Sequence, residues 1–160
     1  MYFTMPHTID FVITPFTELT NAQVYGMLKL RSDVFVVEQA CVYPDLDNKD
    51  LHTDSQHILC FKDEMLLGYA RCLAPGISFS NAASIGRVAV CASARGQRLA
   101  SAIMQQAIAT CRSHWPDQHI EIGAQTYLQD FYARIGFVPI SPEYDEDGIM
   151  HVDMRLDKQP

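Results

Sequence analysis

Between residues 84 and 114 the hydrophobic pattern changes period more clearly than anywhere else in the chain. Residues 85–90 form an apolar, β-branched run broken only by Gly86 and Arg87, which predicts a buried strand. Cys91, Ala92, Ser93 and Ala94 make a short loop of small residues, and Arg95-Gly96-Gln97-Arg98 leads out of it. Apolar residues then fall at 99, 103, 104, 107, 108 and 111, one face of an amphipathic helix. Arg112 and His114 suit the helix C-terminus, and Trp115-Pro116 ends it.

Around this strand–turn–helix unit the pattern predicts further elements. Residues 9–13 read as a first strand, closed by Thr14-Pro15. Thr20-Asn21-Ala22-Gln23 is a capping box that opens a helix carrying Val24, Met27, Leu28 and Arg31. Residues 34–39 fit neither the helical nor the strand period and are assigned to a second short helical segment. Residues 41–55 are loop, with Asp45, Asp47, Asp50 and Asp54 expected to be solvated. Residues 57–61 and 66–73 flank the polar turn Lys62-Asp63-Glu64 and predict a hairpin, after which 76–83 form a polar loop. Residues 120–124 predict a strand, 127–135 a short helix stopped by Gly136, and 151–156 a last strand after the acidic turn at 143–148. Hairpins first and alternating strands and helices later indicate an α+β domain with a mixed sheet, one domain over residues 1–160.

Composition narrows the classes. With 48% hydrophobic and 19% charged residues the chain is globular. No apolar run approaches the roughly 20 residues that span a bilayer. Residues 1–6 lack the basic region and long apolar core of a signal peptide, so a cytoplasmic location and no membrane partner are expected. The net charge of −7 argues against nucleic acid as a partner and suits a cationic or amine substrate. The five cysteines (41, 60, 72, 91 and 111) are scattered, with no Cys-x-x-Cys, and read as reduced and mostly core-packed. His52 and His57 lie in irregular acidic sequence, and no metal site is expected.

The turn between strand and helix is where chemistry enters. Free N–H groups and the positive end of the helix dipole meet there, a natural seat for a pyrophosphate. There is no Gly-Lys-Ser/Thr and no Gly-x-Gly-x-x-Gly, so neither common nucleotide loop applies. The pattern instead resembles the acyl-CoA signature of the GCN5-related N-acetyltransferase (GNAT) superfamily, Arg/Gln-x-x-Gly-x-Gly/Ala between strand and helix. Arg95 fills its first position and Ala100 its last, while Arg98 replaces the usual central glycine and is strained if the turn needs φ > 0 there. Further on, Gln125 stands where the family usually has Asn, Tyr132 follows seven residues later, and Gly136-Phe137 closes the motif. Arg31-x-x-Val34-Phe35-x-x-Glu38-Gln39, then Asp47, Asp50 and His57, with Glu146-Asp147-Gly148-Ile149-x-His151, is similar to the ElaA-like branch. Met150 replaces the usual Pro before that histidine.

The resemblance implies a GNAT fold, with central parallel strands that splay apart, helices on both faces and acetyl-CoA as co-substrate in the cleft. Val88, Ala89 and Val90 would border the pantetheine arm, with backbone groups of Val88 and Val90 hydrogen-bonding it. Arg95, Gly96, Gln97, Arg98, Leu99, Ala100 and Ser101 would hold the pyrophosphate, with Gln125 nearby. A strand N–H would polarise the thioester carbonyl. Tyr132 would protonate the leaving thiolate; on residue type alone it is a packed tyrosine. A base must neutralise the attacking ammonium. Glu38 is the first candidate and His151 the second, although Glu38 also suits a pair with Arg31 and His151 an outward strand position. The implied activity is acetyl transfer to a primary amine, on a small molecule or a lysine, by direct attack in a ternary complex. Acyl-homoserine-lactone synthases share the fold and part of the Arg-x-x-Val-Phe-x-x-Glu pattern, and a non-catalytic CoA-binding sensor is the other alternative. Symmetry base rates favour a homodimer.

Overall fold

The computed structural model describes residues 8–160; the N-terminal stretch read above for a signal peptide lies outside them. One mixed sheet organises the chain, in the order β1-β2-β3-β4-β5-β8-β6, with β7 also paired to β8. The strands are β1 (Ile9–Thr14), β2 (Gln56–Lys62), β3 (Met65–Leu73), β4 (Ala82–Val90), β5 (His119–Gln125), β6 (Val138–Pro139), β7 (Tyr144–Glu146) and β8 (Ile149–Leu156). Every pairing is antiparallel except β4 with β5. That parallel pair holds only over residues 82–84 against 119–121. From Ile85 onward β4 leaves β5, and the sheet opens into a cleft as the resemblance implied.

Alternation along the strands sends side chains to two cores. Ile58, Cys60, Ala70 and Cys72 face one side with Ile103, Met104, Ala107 and Cys111 of α2 (Leu99–His114). Leu59, Tyr69 and Ala89 face the other, against Met27 and Leu30 of α1 (Asn21–Arg31). Tyr132 of α3 (Gln129–Ile135) joins the first core beside Phe137. Gly68 lets α2 approach β3 closely, since a Cβ there would run into Ile103. Cys41, Cys60, Cys72 and Cys111 are buried free thiols and Cys91 is half-buried.

Local chemistry explains most boundaries. The capping box forms: Gln23 N–H donates to Thr20 Oγ1 at 3.1 Å and Thr20 N–H to Gln23 Oε1 at 2.9 Å. The segment that fitted neither period is a π-helical turn, Ser32–Glu38. Its end shows i→i+5 bonds, Gln39 N–H to Val34 O and Cys41 N–H to Val36 O, a spacing that neither 3.6- nor 2-residue patterns detect. β4 begins at Ala82, within the expected polar loop, because Ala82 and Ala83 are buried. The expected helix at 127–135 is a 3₁₀ turn (Thr126–Leu128) followed by α3. The Asp147-Gly148 turn between β7 and β8 has φ of 53° and 83°, as a tight two-residue hairpin demands.

The acidic loop is the largest correction. Asp45 and Asp50 are buried, Asp47 is half-buried, and all three are ion-paired to arginines from α1, β3 and β4; of the four aspartates only Asp54 is solvent-exposed. Arg31, wholly buried at the end of α1, donates from Nε to Asp45 (2.9 Å) and from Nη1 to Asp50 (2.7 Å). Arg71 on β3 donates to both oxygens of Asp47 at 2.8 Å and to Asp50 at 3.0 Å. Burial opposes the charge on Asp47, but the Arg71 hydrogen bonds outweigh it and hold the carboxyl at about 2. His57 sits under the loop between the Tyr69 hydroxyl (2.7 Å) and the Asp50 carbonyl (3.0 Å). That carbonyl accepts only, so Nε2 carries the proton and Nδ1 accepts from Tyr69. Burial lowers the His57 pKa, which favours this neutral form.

Candidate active site

The opened strands border a cleft of ≈ 1210 Å³. Its walls include β4 from Ser84 to Val90, the first turn of α2, the end of β5, α3, the π-helical turn and the β7–β8 hairpin. Of the residues expected at the site, Glu38, Val88, Ala89, Val90, Arg95, Gly96, Arg98, Leu99, Ala100, Ser101, Gln125, Tyr132 and His151 all line it. Gln97 does not; it is exposed at the turn and off the cleft wall.

The turn before α2 has the form of an anion cradle. Gly96 (φ 82°) and Arg98 (φ 59°) are left-handed with Gln97 between them, and such alternation turns successive N–H groups to one side. Arg98 therefore holds the strained conformation feared from the sequence, at a cost of roughly 1 kcal/mol relative to glycine. It is the N-cap of α2 and no side chain caps the helix, so the first-turn N–H groups of Leu99, Ala100 and Ser101 lack an intrahelical partner. Those donors, on the cleft wall at the positive end of a 16-residue helix, fit a pyrophosphate.

Arg95 is otherwise engaged. Its guanidinium makes a two-point ion pair with the Glu38 carboxylate, Nη2 to Oε2 at 2.7 Å and Nη1 to Oε1. It also donates from Nε and Nη2 to Val90 O at 3.2 and 3.1 Å. The Val90 carbonyl is thus already satisfied, which leaves its expected contact with a pantetheine arm to other backbone groups. The hydrogen bond from Arg95 holds the Glu38 carboxyl below the usual carboxylate range, which makes it a weak base in this geometry. Glu38 does not pair with Arg31, whose partners are Asp45 and Asp50. Gln125, expected at the cofactor, exchanges two hydrogen bonds with Gln39 at 3.0 and 3.2 Å. With Cys41 Sγ against Asp147 O (3.3 Å), these contacts tie residues 38–41 across the cleft.

Tyr132 is 8% exposed, and its hydroxyl has no hydrogen-bond partner among the described residues. Burial, with a smaller contribution from Tyr127, pushes its pKa up to about 12, so it carries its proton at neutral pH. His151 lies on β8 opposite Gln125 and stacks on Tyr144 at 5.9 Å. Its Nδ1 is 2.8 Å from Ile149 O, which accepts only, so a proton sits on Nδ1 and Nε2 is the nitrogen turned to the cleft side chains. Nε2 is 3.6 Å from the Glu146 carboxylate.

Sequence reasoning missed Tyr43, Arg71, Arg87, Tyr144 and Asp153 on the cleft wall. Tyr144 donates to Asp153 at 2.6 Å and packs over Gly123, where a Cβ would come within 3.2 Å of its hydroxyl. A glycine inside a strand, Gly123, is the sequence signal that could have found Tyr144. Among the described residues no group of three or more His, Cys, Asp or Glu side chains is arranged to hold a metal, and no helix is long and apolar enough to cross a membrane.

A mixed sheet parted beside a helix N-terminus, with a buried tyrosine in the opening whose hydroxyl has no partner among the described residues, is the architecture of an acyltransferase of the GNAT type. The chain belongs to that family: the acetyltransferase (GNAT) domain matches residues 20–158. Within it the chain is similar to protein ElaA of Escherichia coli, 44% identical over 138 residues, covering 86% of this chain and 90% of ElaA. The crystal structure of E. coli ElaA superposes with a TM-score of 0.87, covering 94% of this chain and all of that one. An acyl-CoA N-acyltransferase from Pseudomonas aeruginosa gives the same score at 38% identity, over 92% of this chain and 99% of its own. An aminoglycoside 6'-N-acetyltransferase solved with coenzyme A shares the fold at 11% identity and a TM-score of 0.69, over 93% of this chain and 99% of its own.

Proposed function

We propose that this protein is an acetyl-CoA-dependent N-acetyltransferase acting on a primary amine, on a small molecule or a lysine, in a ternary complex. The observation that carries this reading is the uncapped, left-handed turn opening α2 in the same cleft as the Tyr132 hydroxyl, which has no partner among the described residues. That fold relatives act on acyl-CoA, and that one was solved with coenzyme A, supports the choice of co-substrate.

Acetyl-CoA supplies an activated thioester. The N–H groups of Leu99, Ala100 and Ser101 bind its pyrophosphate, and backbone groups of Val88 hold the pantetheine arm on the edge of β4 that has parted from β5. A β4 N–H donates to the thioester oxygen as negative charge develops there. His151 Nε2 takes the ammonium proton, directly or through one water, and the neutral amine attacks the carbonyl carbon. The C–S bond breaks as Tyr132 gives its proton to the departing sulfur, and the proton shed by the new amide nitrogen returns through water to the Tyr132 oxygen. Glu38, the first candidate for base on sequence, acts here as the counter-ion of Arg95. Carboxylates at 146, 147 and 153 on the cleft wall favour a cationic acceptor. We place this chemistry in the cytoplasm, and a homodimer remains part of the reading.

The test is thiol release from acetyl-CoA across a panel of amines, polyamines, aminosugars and lysine peptides. Acetyl transfer that fails in Tyr132→Phe and His151→Gln supports the reading. Binding without transfer to any amine would make the protein a sensor, and a strong preference for long acyl chains would make it a synthase of the homoserine-lactone kind.

A further inference from the structure

Arg87 holds a left-handed conformation (φ 52°) inside a central strand, beside a glycine that does not. The register of β3 and β4 shows why. Tyr69 pairs with Ala89 and Arg71 with Gly86, so Ala70 alone opposes Arg87 and Val88. This is a β-bulge, two residues against one, with a residue bearing a long side chain at a position where glycine is usual. The bulge, Arg87 and Val88, is separated by Ile85 and Gly86 from the last β4–β5 pair and leads directly into Ala89 and Val90, which line the cleft.

The Arg87 side chain is held on one short segment, residues 43–47. Nε lies 2.8 Å from Asp45 Oδ1, Nη2 donates to the Asp45 carbonyl at 3.0 Å and to Asp47 Oδ2 at 3.4 Å, and the guanidinium lies 5.4 Å from the centre of the Tyr43 ring. That segment is in turn fixed by Arg31, which binds Asp45, and by Arg71, which grips Asp47 with two nitrogens. Arg71 is also the β3 residue opposite Gly86. Both sides of the bulge are therefore anchored to the same carboxylate, Asp47.

We infer that Arg87, with Asp45 and Asp47, is a positioning clamp that sets the bulge and so aims the β4 backbone donors at the thioester oxygen. The buried aspartates serve catalysis through Arg87 and touch no reactant. The inference rests on the acyltransferase reading above. A bulge re-aims the backbone that follows it, and a left-handed arginine persists only where its surroundings over-determine it. Oxyanion-type donors act through geometry, so loosening the clamp weakens polarisation of the carbonyl before it weakens binding.

The experiment reads that polarisation without needing the acceptor amine. The carbonyl stretch of [1-¹³C]acetyl-CoA is recorded by isotope-edited infrared spectroscopy free and bound to wild type, Arg87→Gly and Arg87→Lys, with affinities by calorimetry. Arg87→Gly keeps the backbone conformation accessible and removes the clamp; Arg87→Lys keeps the charge but cannot reach both aspartates, and serves if the glycine variant does not fold. The expected result is a shift to lower frequency in wild type, largely lost in Arg87→Gly and reduced in Arg87→Lys, with acetyl-CoA affinity changed less than threefold. A full shift in the variants overturns the clamp and leaves the acyltransferase reading standing. Loss of affinity in step with the shift overturns it as well, by reducing Arg87 to a structural role. An unshifted or unbound thioester in wild type removes the acyltransferase reading, and the clamp with it.

Discussion

Glu38 and Arg95, 57 residues apart in sequence, meet in a two-point ion pair at the wall of the cleft, joining the π-helical turn to the anion-binding turn. The pair is largely exposed, and an incoming pyrophosphate competes with the carboxylate for the guanidinium. Glu38→Gln removes the competitor, so CoA is expected to bind about two- to fivefold more tightly, a range set by the modest strength of exposed pairs. Pantetheine, which has no phosphates, is expected to bind unchanged. Calorimetry with both ligands checks this; weaker CoA binding in Glu38→Gln would show that Arg95 needs Glu38 to hold it in place.

Tyr132 and His151 are expected to separate from the binding machinery. Tyr132→Phe removes a hydroxyl that bonds to nothing among the described residues, so the fold loses no hydrogen bond. Steady-state kinetics with a competent amine should show kcat lower by about ten- to a hundredfold in Tyr132→Phe, and by on the order of a hundredfold in His151→Gln, with CoA affinity retained. Full turnover in either variant would remove that residue from the proton path.

Arg98→Gly isolates strain from charge. Relief of the left-handed conformation is worth up to about 1 kcal/mol, partly offset by the flexibility of glycine in the unfolded chain. The melting temperature should rise by about 2 °C, while loss of the guanidinium weakens CoA severalfold. Unchanged affinity would show that the Arg98 side chain does not reach the phosphates.

Asp50 serves two buried guanidiniums, at 2.7 Å from Arg31 and 3.0 Å from Arg71. Asp50→Asn removes that charge and should cost about 3–5 kcal/mol in chemical unfolding. Burial opposes the charges on Asp50 and Asp47, but hydrogen bonds from the arginines prevail and hold both carboxyls below the unfolded value of 3.8, Asp47 at about 2. Their contribution is therefore full above about pH 4 and is lost as the pH falls toward 2. The variant should lose part of this acid sensitivity; a destabilisation under about 1 kcal/mol, with the wild-type acid profile, would contradict the network.

The strand–turn–helix of residues 85–114 was legible because its determinants are local: a period change, small residues at the turn and a breaker at the end. The capping box and the hairpin were legible for the same reason. Residues 34–39 were assigned to a short helical segment, and the structure has one there, although its π form was not legible because i→i+5 spacing matches neither period. The acidic loop read as solvated because its partners, Arg31, Arg71 and Arg87, lie on three other elements and no local pattern links them. The same distance hid the ion pair of Glu38 with Arg95 and the exchange between Gln39 and Gln125, so two residues read as a base and a cofactor contact are seen here bonded across the cleft. Arg98 was flagged by its departure from glycine, whereas Arg87, equally left-handed, left no trace because its bulge depends on register against β3.

The central claim is an acyl-CoA site at the α2 turn, and calorimetric titration with acetyl-CoA tests it most directly, beside longer acyl-CoAs and the Arg95→Glu variant. The expected result is micromolar affinity, roughly −8 kcal/mol, favouring acetyl and weakened by Arg95→Glu. Absence of binding by any acyl-CoA would contradict the account, because the uncapped turn and the left-handed Arg98 would then form no anion site.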